Sequence, residues 1–128
     1  MAQAFRKKTD VSPDARQTPE LDSFVVVGTY TSNLKITVEW ERRLSYDGIV
    51  DVLKTVLAEP RTFRDIHQHL SSHCHTTDQF LPPGKISNYR VSTTCTKEIV
   101  LVLERRATIV RIDNDAAGGG PRWVMPVP

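Results

Sequence analysis

Cysteine is scarce in this chain, with two residues, Cys74 and Cys95, among 128. Two thiols can close one bridge at most, which excludes a disulfide scaffold and makes a reduced, intracellular setting the expectation. Long apolar runs are also missing. No stretch approaches the roughly 20 residues that a bilayer-spanning helix needs. Met1–Asp10 carries Arg6-Lys7-Lys8 with no apolar stretch behind it, so no secretory signal is expected. Charge of one sign is not in excess. Lys and Arg number 17 against 15 Asp and Glu, and a net +2 does not by itself argue for nucleic acid. Catalytic fingerprints are absent as well: there is no G-x-S-x-G, P-loop or dinucleotide motif. Gly118-Gly119-Gly120 lacks the following helix that a phosphate loop requires. The expectation is no enzyme and no small-molecule substrate.

What is present is one domain between two polar arms. Residues 1–23 hold Pro13, Pro19, acids and Arg6-Lys7-Lys8-Arg16 with almost nothing to bury, so they read as a flexible basic arm. Residues 24–113 read as a single α+β domain. Residues 114–128 read as a Gly/Pro-rich tail that closes on the apolar Trp123-Val124-Met125-Pro126-Val127-Pro128. The prolines of that hexapeptide argue against a central strand. A Trp there needs a partner, on its own domain or on another molecule.

Within the domain, Phe24–Tyr30 is β-branched and aromatic. Leu34, Ile36, Val38 and Trp40 alternate with Lys35, Thr37 and Glu39, so they share one face of a second strand, and Thr31-Ser32-Asn33 closes a hairpin. Ser45 caps a helix whose stripe is Ile49, Val52, Leu53, Val56 and Leu57, and Pro60 stops it. A shorter helix starts at Thr62 and carries Phe63, Ile66, His67 and Leu70. Ser71–Gly84 reads as a loop and Lys85–Ser92 as a weak strand. Glu98–Leu103 is apolar on both faces and reads as a central strand. Glu104-Arg105-Arg106-Ala107 reads as a turn into a last strand, Thr108–Ile112. The predicted order is ββ-αα-βββ, two helices on a largely antiparallel sheet with disordered N- and C-terminal arms. A winged-helix reading fails because Pro82-Pro83-Gly84 stands where a recognition helix is needed.

Three groups of residues could carry function. All four histidines fall in His67–His75. His69 and His73, four apart, share a helix face, and with Cys74 they form a candidate zinc site, although no C-x₂-C spacing supports it. The plainer reading makes His67 a core histidine bonded to a carbonyl and the others an exposed polar helix end. A pH-sensing role for the cluster is a further reading. The second group is basic: Arg6, Lys7 and Lys8 on the arm, and the pairs Arg42-Arg43 and Arg105-Arg106 at turns, which would bind an anionic membrane or nucleic acid if the fold gathers them. Ordinary solvated turns are the alternative. The third is the tail, where Trp123, Val124, Met125 and Val127 suit self-association. On that reading truncation after Gly120 leaves the fold intact and weakens assembly.

The stretch Leu34-Lys-Ile-Thr-Val-Glu-Trp-Glu-Arg-Arg-Leu-Ser-Tyr46, the helix Asp47–Leu57, and Glu59-Pro-Arg-Thr-Phe63 resemble the centre of rhabdovirus matrix proteins. The likeness covers residues 34–70, and loosely runs to 112. It implies a small α+β matrix protein with a basic N-terminal arm, matched here by Arg6, Lys7 and Lys8. Such proteins coat the inner membrane face, condense the viral ribonucleoprotein and self-associate through an extended segment docked on a neighbour. The implied setting is the host cytoplasm, the inner membrane face and the virion. The chain departs from typical members in its shorter length. Leu81-Pro82-Pro83-Gly84 has the prolines of a PPxY budding motif without its Tyr. The combined expectation is a viral structural protein of virion assembly, needing no cofactor. A small nucleic-acid-binding or regulatory protein is the alternative, and a zinc protein built on the histidine window the third.

Overall fold

A computed structural model describes residues 22–113 and 120–126. The arm carrying Arg6, Lys7 and Lys8, and also Val127, lie outside the described residues. The order is β1 (Ser23–Thr31), β2 (Thr37–Ser45), α1 (Tyr46–Val56), α2 (Phe63–Thr77), β3 (Ser87–Val91), α3 (Thr93–Arg105), β4 (Val110–Asp113) and β5 (Pro121–Val124). A three-stranded sheet in the order β2-β1-β3 and a two-stranded sheet β4-β5 are both antiparallel. The α+β class holds, with three helices instead of two.

β1 and β2 pair along their full length from Ser23↔Ser45 to Thr31↔Thr37. Side chains alternate across the sheet. Val26, Gly28 and Tyr30 of β1 are buried, while Val25 and Val27 are 45 % and 38 % exposed on the other face. Val38, Trp40, Arg42 and Leu44 of β2 turn toward the buried side. Leu34 and Ile36, expected on that face, are exposed because both belong to the connecting turn, where Lys35 takes a left-handed φ of 62°. Gly28 is required where it stands: a Cβ would run into the Arg90 carbonyl and the Trp40 indole.

Ser45 caps α1 by accepting from the Gly48 N–H, and Ile49, Leu53 and Leu57 are fully buried, as the stripe predicts. Thr62 and Asp65 form a reciprocal capping box on α2. The predicted end near Leu70 is too early. The buried stripe continues through Ser71 and Cys74, and Ser71 Oγ accepts from the Val91 N–H at 2.9 Å, tying α2 to β3.

Glu98–Leu103 is helical, not a strand. Cys95, Thr96, Ile99, Val100 and Leu103 are the buried positions of α3, at helical spacing, and Leu101 is left 45 % exposed. Ser92 caps the helix by accepting from the Cys95 N–H. The expected hairpin turn is the end of this helix. Ala107, at φ 59°, donates to the Glu104 carbonyl at 3.0 Å, and Thr108 donates to the Leu103 carbonyl at 2.9 Å, the Schellman pattern.

The tail expectation is corrected at Pro121–Met125. This segment is folded onto its own domain. Trp123 exchanges two backbone hydrogen bonds with Arg61, both 2.8 Å, and Met125 N–H donates to the Leu57 carbonyl at 2.8 Å. The indole is buried in the core cluster, its Nε1–H donating to Glu104 at 2.9 Å. Pro121 opens the strand and Pro126 follows it, so neither breaks the ladder.

Candidate functional site

The histidine window lies on α2, and the helix separates its members. Nε2–H of His67 donates to the Val91 carbonyl at 2.7 Å, the core-histidine arrangement. Nε2–H of His69 donates to the Val52 carbonyl at 2.8 Å and fastens α2 to α1. His73 faces the same side as His69. Burial first, then the charges of Arg42 and His69, lower its pKa, so its ring is neutral at pH 7. His75 is exposed and stacks on Tyr89 at 4.7 Å. Cys74 points the other way, fully into the core, where burial pushes its thiol up to about 11. The candidate set His69, His73 and Cys74 therefore does not converge, because residues 73 and 74 stand about 100° apart around a helix. Among the described residues no group of three or more His, Cys, Asp or Glu is placed to hold a metal ion. Both thiols are buried and Cys95 is also raised by burial, so neither is an activated nucleophile.

Between α1 and α2 lies an open groove of about 680 Å³, with Arg43, Ser45, Asp51, His69 and His73 along it. Its hydroxyl nearest the helix start, Ser45, is engaged as the α1 cap. Arg43 is one of the groove's lining residues.

Arg42 and Arg43 are neighbours that do different work, since successive strand residues point to opposite faces. Arg42 turns inward. It donates to Thr77 Oγ1 at 2.6 Å and to the Cys74 carbonyl at 2.8 Å, and lies 3.6 Å from Asp78. This cation closes the C-terminal end of α2, where the helix dipole is negative. Tyr89 completes the cluster by donating to Asp78 at 2.7 Å, and its ring lies between Trp40 and His75. Burial pushes the Asp78 carboxyl up, but hydrogen bonds from Tyr89 and the Phe80 N–H, with the Arg42 charge, outweigh it and hold the group below its ordinary value. Arg42 is thus withdrawn from the expected binding patch. Sequence reading missed this cluster because Arg42, Asp78 and Tyr89 are far apart along the chain.

Arg43 turns outward and donates to Ser23 Oγ at 2.9 Å. Arg106 lies over the Tyr46 ring at 4.6 Å and 3.9 Å from Asp22. Arg105 is exposed beside it at the end of α3. Arg43 and Arg106 therefore both contact residues 22–23, and Arg105 sits at the same end of the domain. That is where residues 1–21, with Arg6, Lys7 and Lys8, join it.

No protein-family model, curated protein or solved structure matches this chain. Among the described residues no helix is long and apolar enough to cross a membrane.

Proposed function

We propose that this chain is a non-enzymatic, matrix-like viral structural protein that self-associates and attaches to an anionic membrane surface or ribonucleoprotein during virion assembly. Its place on this reading is the host cytoplasm, the inner membrane face and the virion. No cofactor has a part in it. The observation that carries it is the contact of Arg43 and Arg106 with residues 22–23, next to the basic arm, with Arg105 beside Arg106 at the end of α3. Arg6, Lys7 and Lys8, outside the described residues, would add their charge to this group on that reading. Cations near an anionic surface add, each contributing about 1 kcal/mol.

Vesicle flotation tests this. The full chain should bind phosphatidylserine-containing vesicles, release as salt rises, and ignore pure phosphatidylcholine. Replacing Arg6, Lys7 and Lys8 together by Ala should weaken binding roughly a hundredfold. Equal binding to neutral vesicles, or no salt dependence, would overturn attachment by charge. Tighter binding to RNA than to vesicles, lost with Arg43→Ala and Arg106→Ala, would replace it with the nucleic-acid-binding alternative.

A further inference from the structure

Among the described residues, the two-stranded sheet is closed on one side and open on the other. The far edge of β5 is occupied by Arg61 and Leu57, through the hydrogen bonds of Trp123 and Met125. β4 pairs with β5 alone among the described residues. All four β4 residues are exposed, and Val110 and Ile112 are 43 % and 38 % accessible. Edge strands usually carry a lysine, a proline or a bulge that discourages pairing. Val110-Arg111-Ile112-Asp113 has no lysine, proline or bulge; it is short, and its two charges are opposite in sign, so they oppose only registers that set like against like.

We propose that the open edge of β4 pairs antiparallel with β4 of a second copy of this chain, about a two-fold axis through Ile112. This rests on the self-association half of the reading above and names the surface. The charges choose the partner and the register. Arg111 and Asp113 project on the same face and already pair within the strand at 2.9 Å, both half-exposed. With the axis at Ile112, Arg111 of each copy stands opposite Asp113 of the other, and Ile112 stands opposite Ile112. An axis at Arg111 would set guanidinium against guanidinium, and one at Asp113 carboxylate against carboxylate. Opposite charges facing across a strand pair stabilise it, and like charges oppose it. The pairing is isologous, so it closes a dimer. On the Arg111 face a groove of about 470 Å³, walled by Phe63, Val100, Leu101 and Trp123, runs beside this edge. The half-exposed Leu101 there adds apolar surface for the partner to cover.

The test is sedimentation velocity of the full chain over a concentration series, with charge exchange. Arg111→Asp alone and Asp113→Arg alone should each weaken dimerisation roughly tenfold or more, since each puts like charges in register. An equimolar mixture of the two should restore it, because every facing pair is then opposite in sign. The double exchange, Arg111→Asp with Asp113→Arg, should dimerise like the parent. These recoveries also show that the single variants are folded. A parent that is monomeric throughout, or single variants that dimerise as the parent does, would overturn the proposal. Vesicle flotation of the parent runs alongside. Charge-dependent dimers without vesicle binding would leave the β4 pairing standing and the attachment reading refuted. Vesicle binding by a monomeric parent would do the reverse.

Discussion

Replacing Arg42 by Ala should cost stability and leave anionic binding alone, whereas Arg43→Ala should do the opposite. The Arg42 side chain is 20 % exposed and that of Asp78 10 %, so this is a largely buried pair. Removing the guanidinium leaves the Cys74 carbonyl at the end of α2 with only the longer 3.3 Å contact from the Tyr89 hydroxyl, and Asp78 with Tyr89 and the Phe80 N–H but without the Arg42 charge. Charge-assisted hydrogen bonds contribute about 1.5–3 kcal/mol each, and breaking a buried ion pair from one side costs about 3–5 kcal/mol. Some water reaches the site, so the lower end, about 3 kcal/mol, is expected. In a domain of this size that is a fall in Tm of about 15 °C. Calorimetry measures it, with urea midpoints as a check. Acid should shrink the difference. Asp78 has a lowered pKa in the folded state, so its contribution is present above the unfolded value, about 4, and is lost as pH falls through the folded one. As pH falls below about 4 the parent's advantage over Arg42→Ala should shrink toward the part that its bonds to Thr77 and the Cys74 carbonyl supply. A loss within about 0.5 kcal/mol at pH 7, the value of a solvated surface cation, would refute the argument. So would a loss that is the same at pH 2 and pH 7.

Three further outcomes are expected. Trp123→Ala should destabilise by about 3–5 kcal/mol, the usual cost of emptying a buried aromatic site, and truncation after Gly120 should do at least as much, seen as a lower Tm in calorimetry. A truncated chain as stable as the parent would return the segment to the role of a free tail. Ala107→Gly should stabilise by about 1 kcal/mol, since a left-handed φ strains any residue with a Cβ, and an unchanged urea midpoint would count against the Schellman end of α3.

The sequence made some elements plain because their signals are local. The stripe Ile49, Leu53, Leu57 with Ser45 before it needs only a helical period and a cap. Val38 and Trp40 declare a strand by simple alternation. His67 on an apolar stripe announces a carbonyl-bonded histidine, and that is what Val91 supplies. Glu98–Leu103 misled because a short apolar run fits a buried strand as well as a helix. The deciding signals lay around it, in the Ser92 cap and in the spacing of Cys95, Ile99 and Leu103. Ser71–Thr77 misled in another way. Its polar residues read as loop, but the partners that keep it helical, Arg42 and Val91, come from strands elsewhere in the chain.

The candidate site divides along the same line. Residue types alone marked Arg42, Arg43, Arg105, Arg106, the histidines and Trp123 as worth attention. Their roles depended on what the fold set beside each of them. The strand pleat sent Arg42 inward to a helix end and Arg43 outward to Ser23. The turn of α2 parted Cys74 from His69 and His73. Trp123 found Arg61 and Glu104, which no spacing along the chain foretells. Local sequence determined most of the helices and strands, because capping, period and turn chemistry act over a few residues. Only the tertiary structure decided which polar groups are used up inside the domain and which are left at its surface, because pairing and burial depend on neighbours distant in sequence.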